Sequence, residues 1–194
     1  MQFHSEEIDG PANRTFAAPR TQEELVLRRH AIEKWAKHTH GWVGRSPDHV
    51  GTFFAAFGSH PEVFANDQRD FAGNVERYYK KVLAENLYLS YAIIPPQVSR
   101  ATTASGWEGE YLQVGVLRET DEGIIVRGSQ MLATGAAIAD EVFVTCIKPL
   151  GPDDVDFAVS FAIPVATDVA LCWWVFRRGN WAGRSRVRLS ASLL

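Results

Sequence analysis

Two short segments carry the residue types from which a reactive site can be built. In Gly41-Trp42-Val43-Gly44-Arg45-Ser46-Pro47-Asp48-His49 an arginine stands directly before a helix start, with Ser46 as N-cap, Pro47 at the first helical position and Asp48 in the first turn. A guanidinium fixed beside free helical amides can hold an anion or a developing phenolate. The plainer alternative pairs Arg45 with Asp48 or with a backbone carbonyl. In Tyr91-Ala92-Ile93-Ile94-Pro95-Pro96-Gln97-Val98-Ser99-Arg100 an apolar strand runs into a rigid polar turn, whose plain reading is a strand end with a solvated arginine. The six histidines offer less. His38 and His40, two apart at a helix end, suit no common metal motif and read as favourable cations at a helix C-terminus, while His4, His30 and His60 have no partner in the sequence. No nucleophile elbow, phosphate-binding glycine loop, dinucleotide fingerprint or zinc-protease motif occurs. Cys146 and Cys172 are too few for a structural zinc or a cysteine-held cluster and fit a reducing compartment.

The elements that must position these segments fall into two kinds. Thr21 and Glu24 form a capping box, and Leu25, Ile32, Trp35 and Ala36 give an apolar stripe at helical spacing, with Gly41 as C-terminal cap. A second helix follows Ser46, carrying Val50, Phe53, Phe54 and Phe57 on one face up to the break at Gly58-Ser59-His60-Pro61. A third runs from about Asp67 to Asn86 on Phe71, Val75, Tyr78, Tyr79, Val82 and Leu83. From there strands take over: Tyr88 to Ile94, Tyr111 to Glu119, Ile124 to Leu132, Glu141 to Ile147 and Asp156 to Val165, with Thr120-Asp121-Glu122-Gly123 as a four-residue hairpin loop. Helices first and strands second mean an α+β chain with segregated layers: residues 1–87 helical, 88–168 an antiparallel β-domain, and 169–194 a tail of another character. In that tail Trp173, Trp174 and Trp181 mix with Arg177, Arg178, Arg184, Arg186 and Arg188, and neither strand nor helix periodicity holds. It reads as a basic surface strand with a frayed end, or as a divergent sequence not native to the fold.

The 194 residues are 46% hydrophobic, enough for a core without staples, and their net charge of -3 argues against a nucleic-acid footprint. No apolar run is long enough to span a bilayer, and Met1 to Arg20 lacks the greasy segment of a signal peptide, so the cytoplasm is the expected address.

Taken in order, Gly44-Arg45-Ser46-Pro47-Asp48, Ile94-Pro95-Pro96-Gln97-Val98-Ser99-Arg100, Gly115-Val116, Thr120 to Gly128, Met131-Leu132-Ala133-Thr134, Ala139-Asp140-Glu141 and Phe161-Ala162-Ile163-Pro164 resemble the 4-hydroxyphenylacetate 3-monooxygenase oxygenase family. The resemblance runs from about Thr21 to about Ala166. It implies an acyl-CoA-dehydrogenase-like architecture, with an N-terminal helical domain, a middle β-domain and a C-terminal helical bundle that this chain lacks. It also implies reduced FAD supplied by a separate flavin reductase, reaction with dioxygen through a flavin C4a-hydroperoxide, and ortho-hydroxylation of a phenol. Homo-oligomers are expected of the full-length family.

Residue by residue, the resemblance gives Arg45 a substrate-side role, Gln97, Val98, Ser99 and Arg100 the turn that touches the flavin, and Thr134 a place near its ring. Where the well-known hydroxylases commonly have tyrosine this chain has His49, and where they have histidine it has Tyr91, so the two types are exchanged. Both can donate to a phenolic oxygen, so Arg45, His49 and Tyr91 form the expected catalytic set, and no metal is expected. The related 4-hydroxybutyryl-CoA dehydratases need cluster thiolates that Cys146 and Cys172 do not supply. The alternative of another class is a truncated, inactive fragment that at most binds flavin or a partner.

Overall fold

The computed structural model describes residues 1–67, 69–97, 101–107, 111–121, 123–167 and 187–189. The chain divides into two compact units, the first running from Met1 to Ser90 and the second starting at Tyr91.

The first unit opens with a hairpin that the polar N-terminal sequence does not announce. Strands β1 (Gln2–Ser5) and β2 (Gly10–Asn13) pair antiparallel with Phe3 opposite Ala12. Helix α1 (Gln22–His38) starts at the predicted capping box: the Glu24 amide donates to Thr21 Oγ1 at 3.1 Å and the Thr21 amide to Glu24 Oε2 at 3.3 Å. Its apolar stripe is not buried as expected. Ala31 is the buried residue of α1, while Leu25 is 52% exposed and Ala36 lies in solvent. Polar bonds tie this helix down instead, with Arg28 Nε donating to Thr15 O at 3.1 Å and Nη2 to Thr52 Oγ1 at 2.6 Å.

Helices α2 (Asp48–Ser59) and α3 (Phe71–Glu85) supply the apolar core of this unit. Val50 and Phe54 of α2 are buried, as are Val75, Tyr78, Tyr79, Val82 and Leu83 of α3, in agreement with the helical spacing. The Phe54 ring lies 4.7 Å from that of Tyr78, a tilted aromatic contact. Tyr79 Oη donates to Phe16 O at 3.0 Å, and burial raises the Tyr79 phenol well above its ordinary range. The third helix starts later than the expected Asp67 because Asp70 caps it, accepting the Gly73 amide at 2.9 Å. It stops at Asn86, left-handed at φ 53.

The second unit is built from short strands. The boundary falls within β3 (Leu89–Ala92), followed by β4 (Gly115–Thr120), β5 (Gly123–Arg127), β6 (Glu141–Val144), β7 (Phe161–Pro164) and β8 (Val187–Leu189). They form two three-stranded sheets, ordered β3-β6-β7 and β4-β5-β8. The pairs β4-β5, β5-β8 and β6-β7 are antiparallel, with Val142 opposite Ile163 and Ile125 opposite Arg188. Each strand is shorter than its apolar run, because Ile94 and Gln113 make only isolated bridges, to Met131 and Ser129. The hairpin loop is also tighter than four residues: Thr120 and Gly123 are themselves paired. Ala92, Ile124, Val126, Val142, Val144, Phe161 and Ile163 form one buried cluster drawn from both sheets. Of the tail, Val187–Leu189 is described and pairs with β5, and the rest of the expected divergent segment lies outside the described residues. Among the described residues no helix is long and apolar enough to cross a membrane.

Candidate active site

Arg45 and His49 come together where α1 hands over to α2. Helix α1 ends in a double turn: the His40 amide donates to Lys37 O at 3.2 Å and the Gly41 amide to Ala36 O at 3.0 Å. The left-handed residue that closes this turn is His40, at φ 51, one place before the expected Gly41, which is itself left-handed at φ 74. The chain then runs through Gly44 and the exposed Arg45, whose backbone carbonyl accepts a hydrogen bond from Tyr88 Oη.

The start of α2 departs from the predicted cap. Ser46 does not cap a helical amide with its side chain; its hydroxyl donates to Asp48 Oδ1 at 2.5 Å, and its carbonyl accepts the His49 amide at 3.0 Å. Pro47 holds the cap position with helical dihedrals, φ -56 and ψ -32, so the turn is set by the ring rather than by a hydroxyl. Asp48 O is held by Thr52 Oγ1 at 2.6 Å, and Thr52 in turn accepts from Arg28. His49, half-buried, lies 5.6 Å from the Phe53 ring. Burial is the main cause that pushes its pKa below the ordinary 6.5, the Arg45 guanidinium adds to this, and Asp48 opposes it. A permanent cation and a neutral imidazole therefore share one helix start. That pair can donate to an oxygen and accept its proton.

The other predicted residues belong to the second unit. Tyr91 is half-buried on β3, next to Ala92, whose carbonyl accepts the Thr145 amide at 3.2 Å. Beyond β3 the Met131 amide donates to Ile94 O at 2.7 Å, which ties the segment leading to Gln97 to the one leading to Thr134. Gln97 is exposed and donates through Nε2 to Pro95 O at 3.2 Å. Val98, Ser99 and Arg100 lie outside the described residues. Thr134 is exposed in a tight turn, its amide donating to Leu132 O at 2.8 Å.

Three residues of these surroundings escape sequence reasoning. Leu132 has φ 66, a left-handed conformation that costs a branched residue roughly 1–3 kcal/mol and that collects at functional turns. Gln113 is 0% exposed and neither atom of its side-chain amide has a hydrogen-bond partner among the described residues, and its spacing within an apolar run gives no hint of this. Tyr88 reads as the first residue of a strand, and its bond to Arg45 spans 43 positions. The remaining histidines keep to local roles, with His60 Nδ1 at 3.0 Å from Glu62 and His4 Nε2 at 3.4 Å from Asp9, both exposed. Among the described residues no group of three His, Cys, Asp or Glu side chains is assembled that could hold a metal ion.

Comparison with known proteins gives this geometry a context. Residues 1–170 match the family model described as 4-hydroxyphenylacetate 3-hydroxylase N terminal. The 4-hydroxyphenylacetate 3-monooxygenase oxygenase component of Thermus thermophilus is 36% identical over 153 residues, which cover 79% of this chain and 31% of that protein. The oxygenase component of 4-nitrophenol 2-monooxygenase from a Rhodococcus species is 38% identical over 129 residues, 66% of this chain and 24% of the relative. The crystal structure of an oxygenase component of 4-hydroxyphenylacetate 3-monooxygenase, complexed with FAD and 4-hydroxyphenylacetate, superposes with a TM-score of 0.75 at 34% identity, covering 86% of this chain and 33% of that one. The chain thus spans about a third of the length of the relatives it matches, or less. With 170 of its residues accounted for by one family model, this chain belongs to the 4-hydroxyphenylacetate 3-hydroxylase N-terminal family.

Proposed function

We propose that the chain carries the phenol-side and part of the flavin-side groups of the oxygenase component of a two-component, FAD-dependent monooxygenase that hydroxylates a phenol ortho to its hydroxyl. The observation that carries this reading is the shared helix start of Arg45 and His49, in a chain whose relatives act on 4-hydroxyphenylacetate and 4-nitrophenol. Arg45 donates to the phenolic oxygen and favours its anion, which makes the ortho carbon electron-rich. His49, kept neutral by burial and by the Arg45 charge, takes the phenolic proton. Tyr91 is assigned a second donor role toward the substrate. Gln97, Val98, Ser99, Arg100 and Thr134 are assigned to the flavin.

The donor set of the second unit fits such a ring. An exposed amide and an exposed hydroxyl, neutral and able to hydrogen-bond, stand on two segments joined at the Ile94 to Met131 bond. Bound reduced FAD supplies the electrons that activate dioxygen, and a separate reductase in the cytoplasm delivers it. Residues 1–87 are taken as the substrate-side helical domain, 88–168 as the flavin-side β-domain and 169–194 as a divergent tail.

The test supplies reduced FAD, dioxygen and a panel of para-substituted phenols, among them 4-hydroxyphenylacetate and 4-nitrophenol, to the purified chain. Catechol formation supports the oxygenase reading. Release of hydrogen peroxide without catechol overturns the oxygenase reading and leaves the inactive fragment, whose flavin binding is read separately by titration, because unbound reduced FAD also yields peroxide with dioxygen. Arg45→Ala is expected to weaken phenol binding by about tenfold or more while flavin affinity holds. Equal phenol affinity in that variant refutes the role of Arg45. Because the neutral imidazole is the competent form, phenol binding should fall as the pH drops below 6.5 and through the depressed value of His49, and His49→Gln should flatten that limb.

A further inference from the structure

Tyr88 Oη donates to the carbonyl oxygen of Arg45, and the two ends of that bond are anchored very differently. Tyr88 stands on firm ground. Helix α3 closes at the left-handed Asn86, whose side chain accepts from Asn13 Nδ2 at 3.1 Å, and the Leu87 amide returns to Val82 O at 3.2 Å. On either side of Tyr88, Leu87 is 7% exposed and Leu89 is 2% exposed, so its backbone is pinned by two buried leucines. Burial pushes the Tyr88 phenol up, which keeps the proton on the oxygen and the group a donor.

Arg45 stands on a loop with little packing. Trp42 is 88% exposed, and a Cβ built at Gly41 or Gly44 would meet nothing within 4 Å. A hydrogen bond to the carbonyl of Arg45 itself fixes the peptide unit from which its guanidinium hangs. Loops of this kind hold a side chain in a productive place only when such a bond restrains them.

We propose that Tyr88 is a positioning residue for Arg45: its hydroxyl fixes the backbone of Gly44, Arg45 and Ser46 and thereby places the guanidinium for the phenolic oxygen. The proposal rests on the reading of Arg45 as the phenol-side cation. It goes further in naming a residue with no role of its own toward substrate or flavin.

The experiment compares the 194-residue chain with its Tyr88→Phe variant, which loses one oxygen and keeps the ring. Backbone order parameters are measured at residues 44–46 and amide hydrogen exchange within α2, the thermal midpoint is measured, and 4-hydroxyphenylacetate and FAD are titrated separately. In Tyr88→Phe, the order parameters at residues 44–46 should fall from roughly 0.85 towards roughly 0.6 and 4-hydroxyphenylacetate affinity should fall roughly tenfold. Exchange within α2, FAD affinity and a midpoint within about 2 °C should be retained. Unchanged order parameters at residues 44–46 overturn the proposal, as does a loosened loop with unchanged phenol affinity. A general fall in midpoint, α2 protection and FAD affinity shows a merely structural tyrosine and also overturns it. A parent chain that binds no phenol refutes the Arg45 reading beneath the proposal; the order parameters tell that failure apart, because they register the restraint on the loop without any ligand.

Discussion

The two units hold their site residues by opposite means. In the first, His49 is rooted in α2, whose rings pack on neighbouring elements, Phe54 against Tyr78 of α3 and Phe57 at 5.1 Å from Phe64, and Arg45 stands on the loop that leads into that helix. In the second, Gln97 and Thr134 sit on exposed turns, Gln97 donating from its side chain to Pro95 O and Thr134 from its amide to Leu132 O, in a unit whose buried cluster is aliphatic apart from Phe161. The difference teaches that side-chain volume is the critical quantity in the helical unit and backbone geometry in the β unit. A helix presents a fixed face that large rings can fill, whereas a two-residue turn or a crossing of strands has no face to fill and depends on allowed dihedrals.

The sharpest attack on this contrast is to remove volume from the first unit. Phe54 is 0% exposed, and Phe54→Ala should destabilise that unit by about 4 kcal/mol through the cavity it leaves, measured by urea denaturation. A loss below about 1 kcal/mol would show that the aromatic interlock is not what holds α2 on α3. Next comes a backbone insult to the second unit that adds almost no volume. Gly128 has φ 119, and a Cβ there would sit 2.1 Å from Gln113 O, so Gly128→Ala should cost about 3 kcal/mol, read in the same denaturation. Near-native stability in this variant would mean that β-unit backbone geometry is more forgiving than the contrast requires.

The smallest effect comes from a charge in a loop of the second unit. Asp154 is buried and accepts the amides of Gly151 and Ser105, each at 2.8 Å. The Gly151 bond is the first cause that lowers its pKa below the ordinary 3.8. A carboxylate depressed on folding stabilises above its unfolded pKa, and that contribution disappears as the pH falls through the folded value, here below 3.8. Asp154→Ala should cost about 2 kcal/mol at neutral pH and should lack this acid limb. An acid titration identical to that of the parent chain would remove Asp154 from the account.

The first helix start was fully legible in the sequence, because a capping box is a local pattern whose two bonds both lie within four residues. The helical faces of α2 and α3 were legible for the same reason, since period 3.6 marks the buried side wherever there is something to bury against. The stripe of α1 shows the limit of that logic. Leu25 and Ala36 have the right spacing, yet the helix is held by Arg28 through Thr15 and Thr52, and no periodicity encodes a guanidinium reaching another helix. Strands β3 to β7 were placed correctly in order and too long in extent, because an apolar run continues past the last residue that finds a ladder partner, whereas the hairpin of β1 and β2 was missed. At the site, Arg45 could be singled out from its place before a helix start and His49 was joined to it through the family resemblance, whereas Tyr88, Gln113 and Leu132 could not be found.

What the sequence by itself determined is therefore what short-range physics determines: the capping box, helix faces, the order of α1 to α3 before β3 to β7, and the ordered motifs that mark the family. What the tertiary structure alone decided is which groups meet across distance: Tyr88 with the Arg45 carbonyl, Arg28 with Thr52, Gly128 beneath Gln113. It also decided which apolar residues are covered. Local patterns are set by dihedrals and by bonds closed within a turn, so the residues that make them are neighbours in the chain. Long-range contacts are chosen by the packing of whole elements, and that choice leaves no periodic trace in the residues it brings together.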